Sequence, residues 1–284
     1  MNQIVNNVKT ALFLGLLTAL IVSLGAWFGG DQGMIIAFII AGAMNFGSYF
    51  FSDKIALMSM KATEVGPEHP LYGIVERLAQ RAGLPMPRVY VSPFPAPNAF
   101  ATGRNPSHAA VCATQGLLDL LSSEQIAGVM SHELAHVKHR DILITTVAAT
   151  MAGAITILLR EVFWFGGFGG RSDRRDGGGN ILIELALLLL APFAAMLIQM
   201  AISRSREFNA DSGGAEICGE PMWLASALQK LEMGNKAIPT DVSPAFNAMF
   251  ISEPKNLRGS FVGLFRTHPK LEARLVNLIG RPNV

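Results

Sequence analysis

Four stretches of this chain run without Lys, Arg, Asp or Glu: Thr10 to Gly30, Gln32 to Ser52, Ile142 to Leu159 and Leu185 to Ser203. Each is long enough to be a candidate for a helix across a bilayer, whose apolar core takes roughly 20 helical residues. The first two meet at Asp31 and predict a helical hairpin with almost no loop. A signal peptide would have a shorter apolar part and a small-residue cleavage site before a soluble stretch, so the first run reads as a retained anchor. The rest of the composition agrees. Half of the 284 residues are apolar and 15% are charged, and the mean hydropathy is +0.36. These values exclude a disordered chain, a coiled coil and a nucleic-acid binder. A net charge of +2 supports no strong electrostatic partner. Cys112 and Cys218 give neither a disulfide framework nor a Cys-based zinc module, which places the soluble parts in a reducing compartment.

Between the second and third runs the chain has the composition of an ordinary soluble domain. Leu71, Ile74, Val75 and Leu78 give helical periodicity up to Ala82, and Gly83, Pro85 and Pro87 end that helix. Arg88 to Ser92 alternates as a strand, and Asn98 to Thr102 and Ala109 to Ala113 are two further strand candidates. Ser122 followed by Gln125 is a capping box that starts a second helix. Gly166 to Asn180, rich in Gly, Arg and Asp, is a flexible connector between the third and fourth runs. After the fourth run, helices are expected at Arg206 to Cys218, Pro221 to Met233 and Pro269 to Ile279. Lys9, Lys54, Lys61, Lys138, Arg140, Arg204 and Arg206 flank the runs so that both termini and both soluble segments face the cytoplasm. The three Arg of the connector run against this. Either Asp173 and Asp176 soften their effect, or the third and fourth runs do not fully cross.

The chemistry sits at Ser131 to His136, S-H-E-L-A-H. On a helix, His132 and His136 stand one turn apart on one face and can reach one Zn2+, with Glu133 beside the place of a metal-bound water. A catalytic zinc needs a third protein ligand and an open fourth position. The metalloprotease pattern that takes a His ten residues after the first is excluded, because that position is Ile142 and the expected intervening Gly is His139. The other common pattern draws a Glu from a later helix. Glu207 can fill that role, and Asp211, four residues on, can hold the free ring nitrogen of a ligand His, in the first place His132. His136 precedes the third run by about 9 Å of helix and Glu207 follows the fourth by about 6 Å, so both would stand at similar heights above the membrane. A second electrophile for the tetrahedral oxyanion could come from His268 or Arg274 in the closing T-H-P-K-L-E-A-R segment; for His268 a turn residue before Pro269 is an equal reading.

Two N-terminal runs, N-A-F-A-T-G at Asn98 to Gly103, S-H-E-L-A-H at 131 to 136, S-R-S-R-E-F-N-A-D at 203 to 211 and T-H-P-K-L-E-A-R at 267 to 274 occur in an order that resembles the HtpX family of membrane zinc metalloproteases. The resemblance runs over nearly the whole chain. It implies a gluzincin-type endopeptidase of the bacterial inner membrane, facing the cytoplasm, that cuts misfolded or damaged membrane proteins without using ATP itself and in concert with ATP-dependent membrane proteases. It implies zinc on the positions matching His132, His136 and Glu207, and catalysis by the one matching Glu133. It also implies that Asn98, Ala99, Phe100 and Ala101 lie on a sheet edge to which substrate backbone adds as a strand, although by residue type alone this segment reads as structural. The connector departs from the family pattern.

The expected fold is therefore α+β and mainly helical, with four hydrophobic helices and a zincin-like domain holding a small sheet. The expected division is a hairpin at 1–53, a first protease part at 54–141, the second hydrophobic pair at 142–203 and a second protease part at 204–284. A zinc transporter or sensor would need ionisable groups inside the runs, and their uncharged cores offer none. A holdase with structural zinc would use four protein ligands and have no use for Glu133.

Overall fold

The computed structural model of the chain describes residues 2–151, 204–234 and 269–280. It opens with α1 (Asn2–Ser59), broken at Gly30, whose φ of 57° and ψ of −145° leave helical space. A residue without a Cβ adopts such angles at little cost, and the two arms fold back on each other there. A Cβ on Gly25 would lie 2.5 Å from the carbonyl oxygen of Gly33, so near the turn the arms meet backbone to backbone. Farther along, Asn45 Nδ2 donates to Thr18 Oγ1 at 2.7 Å across the pair. The hairpin expected from two adjoining uncharged runs is present, and Ile35, Phe38, Ile39 and Phe46 face outward from it.

Of the expected four hydrophobic helices, the described residues bear on the first two and the start of the third. Among the described residues one helix, Gly29–Ser59, is long and apolar enough to cross a bilayer, while Leu14–Trp27 and Ile142–Met151 are shorter apolar helices. Residues 152–159 of the third run and all of 185–203 lie outside the described residues, as does the Gly-rich connector. The start of the third run, α5 (Ile142–Met151), is core: Ile144, Val147, Ala148 and Met151 are buried, and Thr146 Oγ1 hydrogen-bonds Thr102 Oγ1 at 3.1 Å.

Among the described residues four strands form one mixed sheet: β1 (Thr63–Glu64), β2 (Arg88–Ser92), β3 (Ala99–Gly103) and β4 (Ala109–Thr114), in the order β1-β2-β4-β3. β4 runs parallel to β2 and antiparallel to β3. Successive side chains of a strand point to opposite faces. One face turns Val89, Ala99, Ala101, Val111 and Ala113 toward α2 (Pro70–Ala82) and the motif helix α4 (Ser123–His139). The other turns Tyr90, Phe100, Ala110 and Cys112 toward Ala56, Leu57 and Met60 at the foot of the hairpin and Ala149 of α5. Burial on both faces explains why Ala109 to Ala113 is apolar without alternation. The hairpin foot is also joined to the sheet by charge. Arg88 pairs with Asp53 at 3.0 Å, and Arg104 lies over the Phe50 ring at 5.7 Å.

α2 ends at Gly83, left-handed at φ 67°. A short helix, α3 (Gln115–Leu120), links β4 to α4. The capping box of α4 forms as expected, the Ser122 side chain accepting from Gln125 N while the Gln125 side chain accepts from Ser122 N. After the undescribed stretch come α6 (Arg204–Cys218), α7 (Pro221–Gly234) and α8 (Leu271–Ile279). Both cysteines are buried and unpaired. Burial pushes the Cys112 thiol well up, which fits a packing role.

Candidate metal centre

α4 lies at the middle of the soluble part with α6 and α7 against its flanks, and glycines set both distances. A Cβ on Gly128 would stand 2.5 Å from the backbone nitrogen of Leu224 at the start of α7. A Cβ on Gly214 would stand 2.9 Å from both Cα and N of His132. Gly214 follows Glu207 by seven residues and Asp211 by three. These spacings put all three on the stripe of α6 that faces α4, so the close backbone contact at Gly214 carries the two carboxylates to the histidines.

Ala is ordinarily the better helix former by about 1 kcal/mol. At Gly214 the obstacle is backbone, which cannot step aside, and overpacking of this kind costs about 1–3 kcal/mol. Gly214→Ala should therefore lower the unfolding midpoint and weaken metal binding. Gly73→Ala in α2, where the nearest atom is the end of the Arg77 side chain at 3.7 Å, should stabilise. Thermal unfolding of the two variants checks the opposite signs.

Three ligand atoms converge where α4 and α6 cross. His132 Nε2 and His136 Nε2 are 3.2 Å apart, with their rings nearly perpendicular at 89°. Glu207 straddles the gap, Oε2 at 3.8 Å from His132 Nε2 and Oε1 at 3.6 Å from His136 Nε2. One ligand atom from each residue lies within 4.8 Å of the others. Tetrahedral coordination with bonds of about 2.0–2.2 Å would set ligand atoms roughly 3.3 Å apart, close to this spacing. The ligand set read from the sequence is thus brought together, although 71 positions separate His136 from Glu207.

The far side of the His132 ring is fixed. Its Nδ1 lies 2.9 Å from Asp211 Oδ1, so the ring donates there and turns the Nε2 lone pair toward the cluster. Asp211 is fully buried. Arg274 of α8 donates to it twice, Nε to Oδ2 at 2.9 Å and one Nη to Oδ1 at 2.6 Å. This gives Arg274 a role that the sequence does not show. Its Nε and one Nη serve Asp211 on the Nδ1 side of His132, so it holds the carboxylate that holds the ring. His268, the other candidate for the second electrophile, lies outside the described residues.

The charges of the pocket match its geometry. Burial, only partly offset by Asp211, lowers His132 to about 4. Burial also opposes a charge on His136, but the hydrogen bond to Asp141 and the charges of Glu207, Glu133 and Asp141 outweigh it and raise His136 to about 9. Burial opposes a charge on Asp211, yet Arg274 and the hydrogen bonds from His132 and Arg274 hold its carboxyl below the usual range. Glu133 is 5% exposed, and its charge acts on both His136 and Arg274. Two imidazole lone pairs and a carboxylate aimed at one point repel one another unless a cation lies between them. The donor set thus fits a divalent metal with three protein ligands and an open position.

The segment read as a substrate strand is β3, at the end of the sheet order. Asn98 precedes it, with its N–H donated to Thr114 Oγ1 at 2.8 Å. Ala99, Phe100 and Ala101 are buried, the two Ala turned toward the α4 side and Phe100 toward the hairpin foot.

A helix carrying H-E-x-x-H, a Glu on a second helix that converges with its two His, and an Asp behind the first His form an arrangement expected of a metallopeptidase. Residues 67–281 match the model of peptidase family M48. Curated relatives are alike over almost the whole chain. The "Protease HtpX homolog" of Desulforapulum autotrophicum is 53% identical over 277 residues, covering 96% of this chain and 89% of its own. That of Syntrophotalea carbinolica is 51% identical over 278 residues, covering 96% and 98%. The crystal structure of S. mikatae Ste24p aligns over 98% of this chain and 66% of its own at 20% identity and a TM-score of 0.49. The chain belongs to peptidase family M48 and, within it, to the HtpX proteases. It is a metallopeptidase with at least one helix able to cross a bilayer.

Proposed function

We propose that the chain is a zinc-dependent endopeptidase of the bacterial inner membrane, crossing it more than once with its centre toward the cytoplasm, and that it cuts misfolded or damaged membrane proteins. The observation that carries the reading is the convergence of His132, His136 and Glu207 on one point with both His Nε2 atoms turned inward. These three residues would hold zinc, which when bound acidifies water and polarises a carbonyl. Glu133, next to His132 on α4, takes a proton from the attacking water and returns it to the leaving amine. Asp211, held by Arg274, keeps His132 in one tautomer and orientation.

β3 would take substrate backbone along its outer edge, with Asn98, Ala99, Phe100 and Ala101 as the contact segment. Main-chain pairing of this kind ignores side chains and suits substrates that share only unfoldedness. The apolar outer face of the hairpin and its direct junction with the sheet support placing such a site close to lipid headgroups. Cooperation with ATP-dependent membrane proteases would supply chains already drawn from the bilayer.

The test is metal removal and return. The full chain, purified in detergent with zinc, is offered casein and an unfolded membrane protein, and fragments are followed on gels. Chelation should stop cleavage of both and stoichiometric zinc should restore it. Cleavage that continues in the chelated protein would overturn the metal reading. Cleavage of casein alone would overturn the membrane-substrate reading.

A further inference from the structure

The second ligand ring has a holder of its own, which the mechanism above does not use. α4 ends at Arg140, a non-glycine residue in the left-handed region at φ 58° and ψ 37°. The Arg140 N–H donates to Val137 O at 3.1 Å and the Asp141 N–H to His136 O at 3.0 Å, a helix-closing turn that normally uses glycine. The turn folds the next side chain back over the last turn of the helix. Asp141 is 2% exposed, and its Oδ2 lies 3.5 Å from His136 Nδ1. Arg206 is also buried, and the charges of Asp141 and Glu207 both act on it. The arrangement repeats the one at His132: an imidazole with Nε2 toward the cluster, a buried carboxylate at Nδ1, and a buried arginine close by.

We propose that Asp141 is the positioning residue of His136, accepting from its Nδ1–H so that the Nε2 lone pair is presented to the metal, and that the left-handed turn at Arg140 places it. The inference rests on the metal-binding reading of the His132, His136 and Glu207 cluster. It adds to H-E-x-x-H a residue five positions after the second His, just past the end of α4.

Zinc affinity separates this role from others, measured on the metal-free full chain in detergent by competition with a chromogenic chelator. Asp141→Leu keeps the branched shape, though it is larger, and cannot accept, and should bind zinc about 10–100-fold more weakly, the usual cost of losing an outer partner of a ligand His. Asp141→Asn can still accept through its amide oxygen and should stay within about threefold of the parent. Parent-like affinity in the Leu variant would overturn the proposal, and so would equal weakening in both, which would assign the effect to charge alone. If Asp141→Leu does not fold, the turn supplies the test. Arg140→Gly relieves the left-handed strain and should bind zinc as the parent does, whereas β-branched Arg140→Val should shift Asp141 and weaken binding about tenfold or more. Equal affinity in those two would overturn it. A parent chain that takes up no zinc would instead sink the function proposed above.

Discussion

Glu133→Gln should cut peptide-bond turnover by about 10²–10⁴, the usual contribution of a positioned general base, while zinc affinity and the unfolding midpoint stay near those of the parent. Gln keeps the size and one carbonyl oxygen of Glu but cannot take a proton. Glu133 is not among the three convergent ligands, so the metal has no reason to leave with the charge. The comparison is made on casein with zinc content measured on the same samples. Equal cleavage by both forms would remove Glu133 from the mechanism. A Gln variant emptied of zinc would make it a structural part of the centre.

Glu207→Gln should act one step earlier, on the metal itself. Structural zinc sites draw about 10–16 kcal/mol from four ligands, so exchanging one charged ligand for a neutral amide costs on the order of 3 kcal/mol, roughly a hundredfold in affinity. At the trace zinc of a purified sample the variant should be empty and inactive, with activity returning in part when zinc is raised. Glu216, exposed on the same helix, is the control, and its Gln variant should behave as the parent. Chelator competition reads both. If Glu207→Gln held zinc as tightly as the parent, a different third ligand would be required.

What the sequence disclosed about this centre follows the range of the signals involved. His132 and His136 were legible because four residues make one helical turn. Glu207 was reached by eliminating the position held by Ile142 and by the one-turn spacing to Asp211. The hairpin showed because two uncharged runs meet at Asp31, although the break falls one residue earlier, at Gly30, where the backbone needs a missing Cβ.

Other features depend on contacts that no local pattern records. Gly214 looks like half of a weak Gly-Gly pair until α6 is laid on α4. Arg274 was legible as a cation near the site, but only the fold shows that Asp211 claims it. Asp141 carries no pattern of its own in the sequence, and nothing short of the left-handed turn at Arg140 reveals that it points back. β1, two residues long, and α3, six residues long, are too short to set up a periodicity. Ile142–Met151 belongs to a candidate span for a related reason: ten uncharged residues have the same composition whether a sheet or a bilayer covers them.

The glycine contacts at 128 and 214 leave α4 wedged between two neighbouring main chains, unable to roll or slide without forcing them apart. Carrying His132 and His136 away from Glu207 by sliding α4 would therefore displace main chain on both sides, so the three side chains are expected to keep one spacing in a resting and in a working molecule.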